Sequence, residues 1–250
     1  EDADNLVVLK KHRSGITEAF RSLRANMNFI LPKEKSSVIL ITSSISGEGK
    51  TFCSINLASV YALSNKKTLL IGCDMRKPKI FEDFGLSNTE GLSTYLSHNQ
   101  EDVNKVIQKT AYENLDVIVS GPIPPNPAEL LITERFGELL EQMKERYDMV
   151  ILDTPPVGLV SETLDLIRLA DISLFVLRYN YSEKQFIDHI NNLKKQAILK
   201  EAYILFNGVD KDAQHYGYGT GYGYGYGYGY GYYAEDQVEK SFFKKWFSRK

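Results

Sequence analysis

What the chain lacks narrows the reading first. Its 250 residues include only two cysteines, four histidines, four methionines and one tryptophan, and the formal net charge is −2. Cys53 and Cys73 both fall in apolar segments, so they read as reduced, buried thiols of a cytosolic protein and not as a disulfide. His12, His98, His189 and His215 are scattered without ligand spacing, which argues against a histidine-built metal centre. With 30 basic against 32 acidic residues, the chain lacks the basic imbalance of a nucleic-acid binder, and no nucleic-acid partner is expected. No apolar run approaches the roughly 20 residues that cross a bilayer, and no signal peptide is expected. The sequence opens Glu1-Asp2-Ala3 without Met, so it is read as a piece of a longer protein, with any membrane helices preceding residue 1.

What remains is ordinary globular material, 43% hydrophobic and 25% charged. Residues 1–13 read as polar and irregular. Over residues 14–30 the apolar positions Ile16, Ala19, Phe20, Leu23, Met27 and Ile30 recur at helical spacing, and Pro32 ends the helix. Val38-Ile39-Leu40-Ile41-Thr42 is a short apolar run of the buried parallel-strand type. Further strand-like runs cover residues 68–72, 115–120, 149–153, 172–177 and 202–206. Helical stretches separate most of them, including 127–146, 161–169 and 183–199. Apolar strands alternating with helices specify an α/β fold, a mainly parallel sheet flanked by helices on both faces, over residues 14–212. Residues 213–250 read as a tail. Between Tyr216 and Tyr233 it is almost only Tyr and Gly, carrying Tyr216, Tyr218, Tyr222, Tyr224, Tyr226, Tyr228, Tyr230, Tyr232 and Tyr233. Such alternation offers no core, and the segment is expected to be disordered. The last residues interleave Phe242, Phe243, Trp246 and Phe247 with lysine and arginine, a pattern that suits an anionic membrane surface or packing on the domain.

Between the first strand and the following helix lies Ser44-Ile45-Ser46-Gly47-Glu48-Gly49-Lys50-Thr51. It fits the phosphate-loop pattern G-x-x-x-x-G-K-[ST] except at its first position, where Ser44 replaces Gly. Two glycines let the backbone N–H groups of Ser46, Gly47, Glu48, Gly49, Lys50, Thr51 and Phe52 turn inward around phosphate oxygens, at the positive end of a helix. Lys50 is expected to reach the β- and γ-phosphates, and the Thr51 hydroxyl to coordinate magnesium. Val150-Ile151-Leu152-Asp153 is an apolar strand ending in a carboxylate suited to hold magnesium. Both pieces sit at the carboxyl ends of strands, where open α/β sheets bind ligands. A further strand ends in Gly72-Cys73-Asp74-Met75-Arg76, which adds Asp74 and Arg76 as catalytic candidates, Asp74 also as a metal ligand. The cofactors expected are ATP and Mg2+.

Together these motifs resemble the bacterial tyrosine kinase family, the P-loop autokinases of capsule and exopolysaccharide export. The family's S-x-x-x-G-E-G-K-T loop is matched by residues 43–51, and its strand-end carboxylate by Ile151-Leu152-Asp153-Thr154-Pro155-Pro156. Its D-x-D-x-R motif is matched at Asp74 and Arg76, with Gly72 in place of the first Asp. The resemblance assigns that first Asp to taking the tyrosine proton, so here either Asp74 serves as base and metal ligand, or little base help is needed because the transition state is loose. The family's E-x-x-R-x-x-R oligomerisation motif is matched by Glu18, Arg21 and Arg24, and its autophosphorylated tail by the nine tyrosines. Asn207 resembles the adenine-contacting Asn of related P-loop ATPases. The resemblance implies autophosphorylation of the tail between neighbours in a homo-oligomeric ring at the cytoplasmic face of the bacterial inner membrane. Partners implied are a transmembrane activator, or the chain's own N-terminal membrane part, and a cognate phosphotyrosine phosphatase. Two alternatives stay open: a partitioning or septum-site ATPase switch, which usually carries an extra lysine where Ser44, Ile45 and Ser46 stand, and a nucleotide-gated scaffold phosphorylated by another kinase.

Overall fold

A strand such as Ser37–Ser43, buried at every position, has no polar face to give to water and must lie mid-sheet between two helical layers. The computed structural model places it there. It describes residues 5–32, 36–158, 162–196, 199 and 201–209. The chain divides after Val209, and the nine tail tyrosines and the basic aromatic end lie outside the described residues.

Seven strands form one sheet: β1 (Ser37–Ser43), β2 (Thr68–Gly72), β3 (Ile107–Lys109), β4 (Leu115–Ile118), β5 (Met149–Asp153), β6 (Ile172–Arg178) and β7 (Ala202–Asn207), in the order β3-β4-β2-β5-β1-β6-β7. All neighbours run parallel except β3 and β4. The helices are α1 (Val7–Lys10), α2 (Gly15–Ile30), α3 (Lys50–Ala62), α4 (Ile80–Phe84), α5 (Leu92–Leu96), α6 (Val103–Val106), α7 (Pro127–Leu131), α8 (Glu134–Arg146), α9 (Glu162–Ile167) and α10 (Gln185–Lys195). Strand side chains alternate between faces, and two cores follow. Ile39, Ile41, Leu70, Val117, Ile151 and Leu174 pack against α1 to α4. Val38, Leu40, Leu69, Ile71, Leu152 and Phe175 pack against α5 to α10. Among the described residues no helix is long and apolar enough to cross a membrane.

Residues 5–13 are not the irregular polar segment expected. Leu6, Val7, Val8 and Leu9 are buried, and α1 packs on α2 and α3. Asn56, fully buried on α3, holds this turn: its Oδ1 accepts from Val8 N at 2.9 Å, while Nδ2 donates to Asn5 O at 2.7 Å and Phe52 O at 2.8 Å. Residues 127–146 are two helices, not one, because the chain leaves helical geometry at Thr133, with φ −70° and ψ 150°. The helix expected over 183–199 is α10, and that over 161–169 is the shorter α9. The antiparallel β3, three residues long, gives too short an alternation to read. Ser14 caps α2 as its hydroxyl accepts from Thr17 N.

Replacing Asn56 by Ala removes three backbone partners at once and leaves Val8 N–H buried without an acceptor. We expect Asn56→Ala to destabilise the chain by about 2 kcal/mol, read as a lower urea midpoint at unchanged slope. An unchanged midpoint would show that α1 contributes nothing to the fold.

Candidate functional site

β1 and β5 are adjacent and in register, with Ile41 opposite Asp153, and β5 is flanked on its other side by β2, with Gly72 opposite Asp153. The loop after β1, the carboxylate ending β5 and Asp74 beyond β2 therefore reach one edge of the sheet together. Lys50, the first residue of α3, lies between the two acids: its Nζ is 2.9 Å from Asp74 Oδ2 and 3.9 Å from Asp153 Oδ1. Thr51 Oγ1 donates to Asp153 Oδ2 at 2.9 Å. Ser54, one turn further along α3, sets Oγ 3.1 Å from Asp153 Oδ1 and 2.9 Å from Lys50 O. Asp74 is aimed at Lys50 by its other oxygen, Oδ1, which accepts from Lys77 N at 3.1 Å.

The three side chains are nearly closed off from solvent, 12%, 12% and 3% exposed for Lys50, Asp74 and Asp153. Burial by itself lowers the pKa of Lys50, but the Asp153 and Asp74 charges and the Asp74 hydrogen bond outweigh it and hold the ammonium protonated above its ordinary value. Burial pushes the Asp153 carboxyl up, against the opposing pull of Lys50 and the Thr51 hydroxyl. One cation thus faces two carboxylates, and the formal balance of the cluster is one negative charge. Burial also pushes the Cys53 thiol up to about 12 and Cys73 well above its usual value, so neither is a nucleophile here; both are free.

The loop itself is drawn around two left-handed glycines, Gly47 at φ 90° and Gly49 at φ 94°, a conformation that other residues resist. The Glu48 side chain, expected to serve only through its backbone, is fully buried and folds back into the loop: its Oε2 accepts from Ser44 N at 2.7 Å and Ile45 N at 2.9 Å. The Phe52 ring turns away to pack edge-on against Phe20 at 5.9 Å. Asn207, expected to contact adenine, donates to Glu48 O at 3.0 Å, which puts it beside the loop. Arg76 is exposed.

At Gly72, the position of the missing acid, an added Cβ would lie 2.9 Å from Ser120 Oγ and 3.3 Å from Ser120 N. Ser120 fills that space and braces the segment, with Oγ 2.9 Å from Gly72 O and 3.2 Å from Asp74 O. Glu18, Arg21 and Arg24, the residues expected at a subunit interface, lie on α2. Arg21 pairs with Glu18 at 3.1 Å and donates to His12 O, whereas Arg24 donates to Val60 O at 3.0 Å. Ser54, Ser120, Arg178, Tyr181 and Ser182 join the site or its loop without having been read from the sequence. Of these, Ser54 alone had a local signal, its spacing of three residues from Thr51 on a helix.

No group of three or more His, Cys, Asp or Glu that could hold a metal occurs among the described residues. Thr51 and Asp153 are hard oxygen donors, too few for a protein-only cage. They fit Mg2+, which completes its shell with phosphate and water.

A parallel sheet whose phosphate loop, lysine and strand-end carboxylate meet in this way defines a P-loop nucleoside triphosphatase fold, and with it nucleotide binding. Residues 36–202 match the family described as an AAA domain. The tyrosine-protein kinase YwqD of Bacillus subtilis (strain 168) is 39% identical over 181 residues, covering 72% of this chain and 76% of the relative. The tyrosine-protein kinase wzc of Salmonella typhi is 36% identical over 199 residues, 80% of this chain but only 28% of that relative. Among solved structures, the kinase domain of the Escherichia coli tyrosine kinase ETK aligns with TM-score 0.77 and 36% identity, over 88% of this chain and 84% of its own. Pyrococcus furiosus MinD, a cell division ATPase, shares the fold alone, at 21% identity. This chain belongs to the bacterial tyrosine kinase family.

The Asp153 pKa is raised in the fold, so folding favours its protonated form. Its contribution to stability is fully present at acid pH and is lost as pH rises through the folded pKa. We expect the melting-temperature difference between Asp153→Asn and the wild type, both without nucleotide, to move in the variant's favour as pH rises above the ordinary carboxylate range. A difference that does not change with pH would contradict a raised Asp153 pKa.

Proposed function

We propose that the chain is a tyrosine autokinase, transferring the γ-phosphate of Mg-ATP to tyrosines in the tail of a neighbouring subunit. The observation that carries this reading is Lys50 held between Asp74 and Asp153 beside the phosphate loop, in a chain that carries nine closely spaced phenols between Tyr216 and Tyr233. On this reading Lys50 leaves the carboxylates for the phosphates of the bound nucleotide. Thr51 and Asp153 would hold Mg2+, which would supply neutralisation of phosphate charge. The phenolic oxygen forms a bond to the γ-phosphorus as the bond to the β-γ bridging oxygen breaks, and ADP leaves. The phenolic proton passes to Asp74, the carboxylate left at this edge with Gly72 in place of a second one. In a loose transition state that transfer comes late and asks little of the base.

The wider setting follows the same reading. Relatives such as wzc extend far beyond the stretch matched here, so regulation of polysaccharide polymerisation and export, a homo-oligomeric ring, a transmembrane activator and a cognate phosphatase are proposed by resemblance. So is a place at the cytoplasmic face of the bacterial inner membrane. On this reading Glu18, Arg21 and Arg24 form the subunit interface; within the chain Arg21 bonds Glu18 and His12 O, and Arg24 bonds Val60 O.

Mixing wild-type chain with a mass-tagged Lys50→Ala chain tests the proposal. We expect phosphate on the tail of the Lys50→Ala copy, and Arg21→Glu introduced into both copies should slow that transfer at least about tenfold. Label confined to the wild-type copy would contradict transfer between subunits.

A further inference from the structure

A phosphate-binding loop turns its N–H groups inward, so its carbonyls must face outward and find donors elsewhere. In this chain three consecutive carbonyls do so through three side chains distant in sequence. Tyr181 OH donates to Ser46 O at 2.9 Å. Arg178 Nη1 donates to Gly47 O at 3.0 Å. Asn207 Nδ2 donates to Glu48 O at 3.0 Å. The neighbouring Ser182 hydroxyl donates to Glu48 Oε1, whose other oxygen holds Ser44 N and Ile45 N. The Glu48 carboxylate therefore links the mouth of the loop to the turn that follows β6.

That turn is built to present these groups. Asn180 takes a left-handed conformation, φ 54°, which Asn tolerates better than most residues. Ser182 N donates to Arg178 O at 2.9 Å, and Arg178 N donates to Ser182 Oγ at 2.7 Å. The Arg178 guanidinium lies over the Tyr181 ring, 5.4 Å from its centroid. The fit to the loop is close: a Cβ on Gly47 would come within 2.7 Å of the Tyr181 hydroxyl oxygen. Arg178 also brings a fixed positive charge to the outer wall of the loop, on the side of the anion's stabilisation.

We propose that residues 178–182 are a strap that positions the phosphate loop, with Tyr181 and Arg178 as positioning residues that hold carbonyls 46 and 47 outward and so keep the N–H groups aimed at the nucleotide's phosphates. Neither residue touches the reacting atoms. The strap sets affinity for the phosphate chain, and through Glu48 it ties that affinity to the placement of the β6–α10 turn. The inference rests on nucleotide binding at this loop, as the proposed function does, but it is read by binding alone. A chain that binds nucleotide and phosphorylates no tyrosine would overturn the kinase reading and leave the strap to be judged by its own test.

The test compares wild-type chain with Tyr181→Phe, Arg178→Met and Tyr179→Phe. Tyr179 packs edge-on against Phe206 at 6.1 Å and serves as the control in the same turn. Affinity for a fluorescent Mg-ADP analogue, inhibition by pyrophosphate and the melting temperature of the nucleotide-free chain are measured for each. Loss of one loop-bracing hydrogen bond should weaken Mg-ADP on the order of fivefold in Tyr181→Phe. Pyrophosphate, which occupies only the phosphate nest, should weaken by the same factor. The nucleotide-free melting temperature should stay within about 2 °C of wild type, and Tyr179→Phe should bind normally. Wild-type affinity in Tyr181→Phe would overturn the proposal. So would a loss for Mg-ADP that pyrophosphate does not share, since Tyr181 would then act on the base or ribose. Should Tyr181→Phe fail to fold, Arg178→Met carries the same criteria for carbonyl 47.

Discussion

One ammonium facing two buried carboxylates is the constraint around which the rest of this structure is arranged. Lys50 reaches both acids only because β5 lies between β1 and β2, so that the loop after β1, Asp153 and Asp74 arrive at one edge together. Apolar strands covered on both faces supply the rigidity. The polar edge is then held by short local bonds, Thr51 and Ser54 on Asp153 and Lys77 N on Asp74. Uncompensated burial of a carboxylate is costly. The pKa of Asp153 is accordingly displaced upward, and the cluster keeps a formal excess of negative charge. A divalent cation held by Thr51 and Asp153 would relieve that excess.

The loop carries a second, opposite demand. Its N–H groups favour an anion, so the same edge must be electropositive within the loop and electronegative at the strand ends. Glu48 shows how the two are kept apart. Its carboxylate is turned to the back of the loop, on Ser44 N, Ile45 N and the Ser182 hydroxyl. The positive charges beside the loop are those of Arg178, on Gly47 O, and Lys50, on Asp74. Gly72 belongs to the same economy of space: Ser120 occupies the volume an acid would need and braces the carbonyls of Gly72 and Asp74. The residue that replaces a family carboxylate is therefore integrated into the packing.

How much of this could be read from residues alone depends on the range of the contacts. The buried strands declared themselves, because runs such as Val38-Ile39-Leu40-Ile41 suit little else, and motif spacing marked Lys50, Thr51, Asp74 and Asp153. The α1 turn escaped notice because four apolar residues followed by Lys10, Lys11, His12 and Arg13 are too short a run to show helical periodicity. The break at Thr133 carries no Gly or Pro to announce it. Arg178, Tyr181 and Ser182 meet the loop across more than 130 positions, and no local pattern encodes such a meeting. Nor does helical spacing reveal that Arg21 donates to His12 O and Arg24 to Val60 O within the chain.

Phosphoryl transfer to tyrosine is the central claim, and the tail is where it must be recorded. The direct measurement is mass spectrometry of the purified chain after incubation with Mg-ATP, with peptides covering Tyr216 to Tyr233 resolved. The account predicts multiply phosphorylated tail tyrosines and none in a parallel incubation without Mg2+. Release of ADP and free phosphate from a chain whose tail mass does not change would contradict it, and would leave a P-loop ATPase that switches without modifying itself.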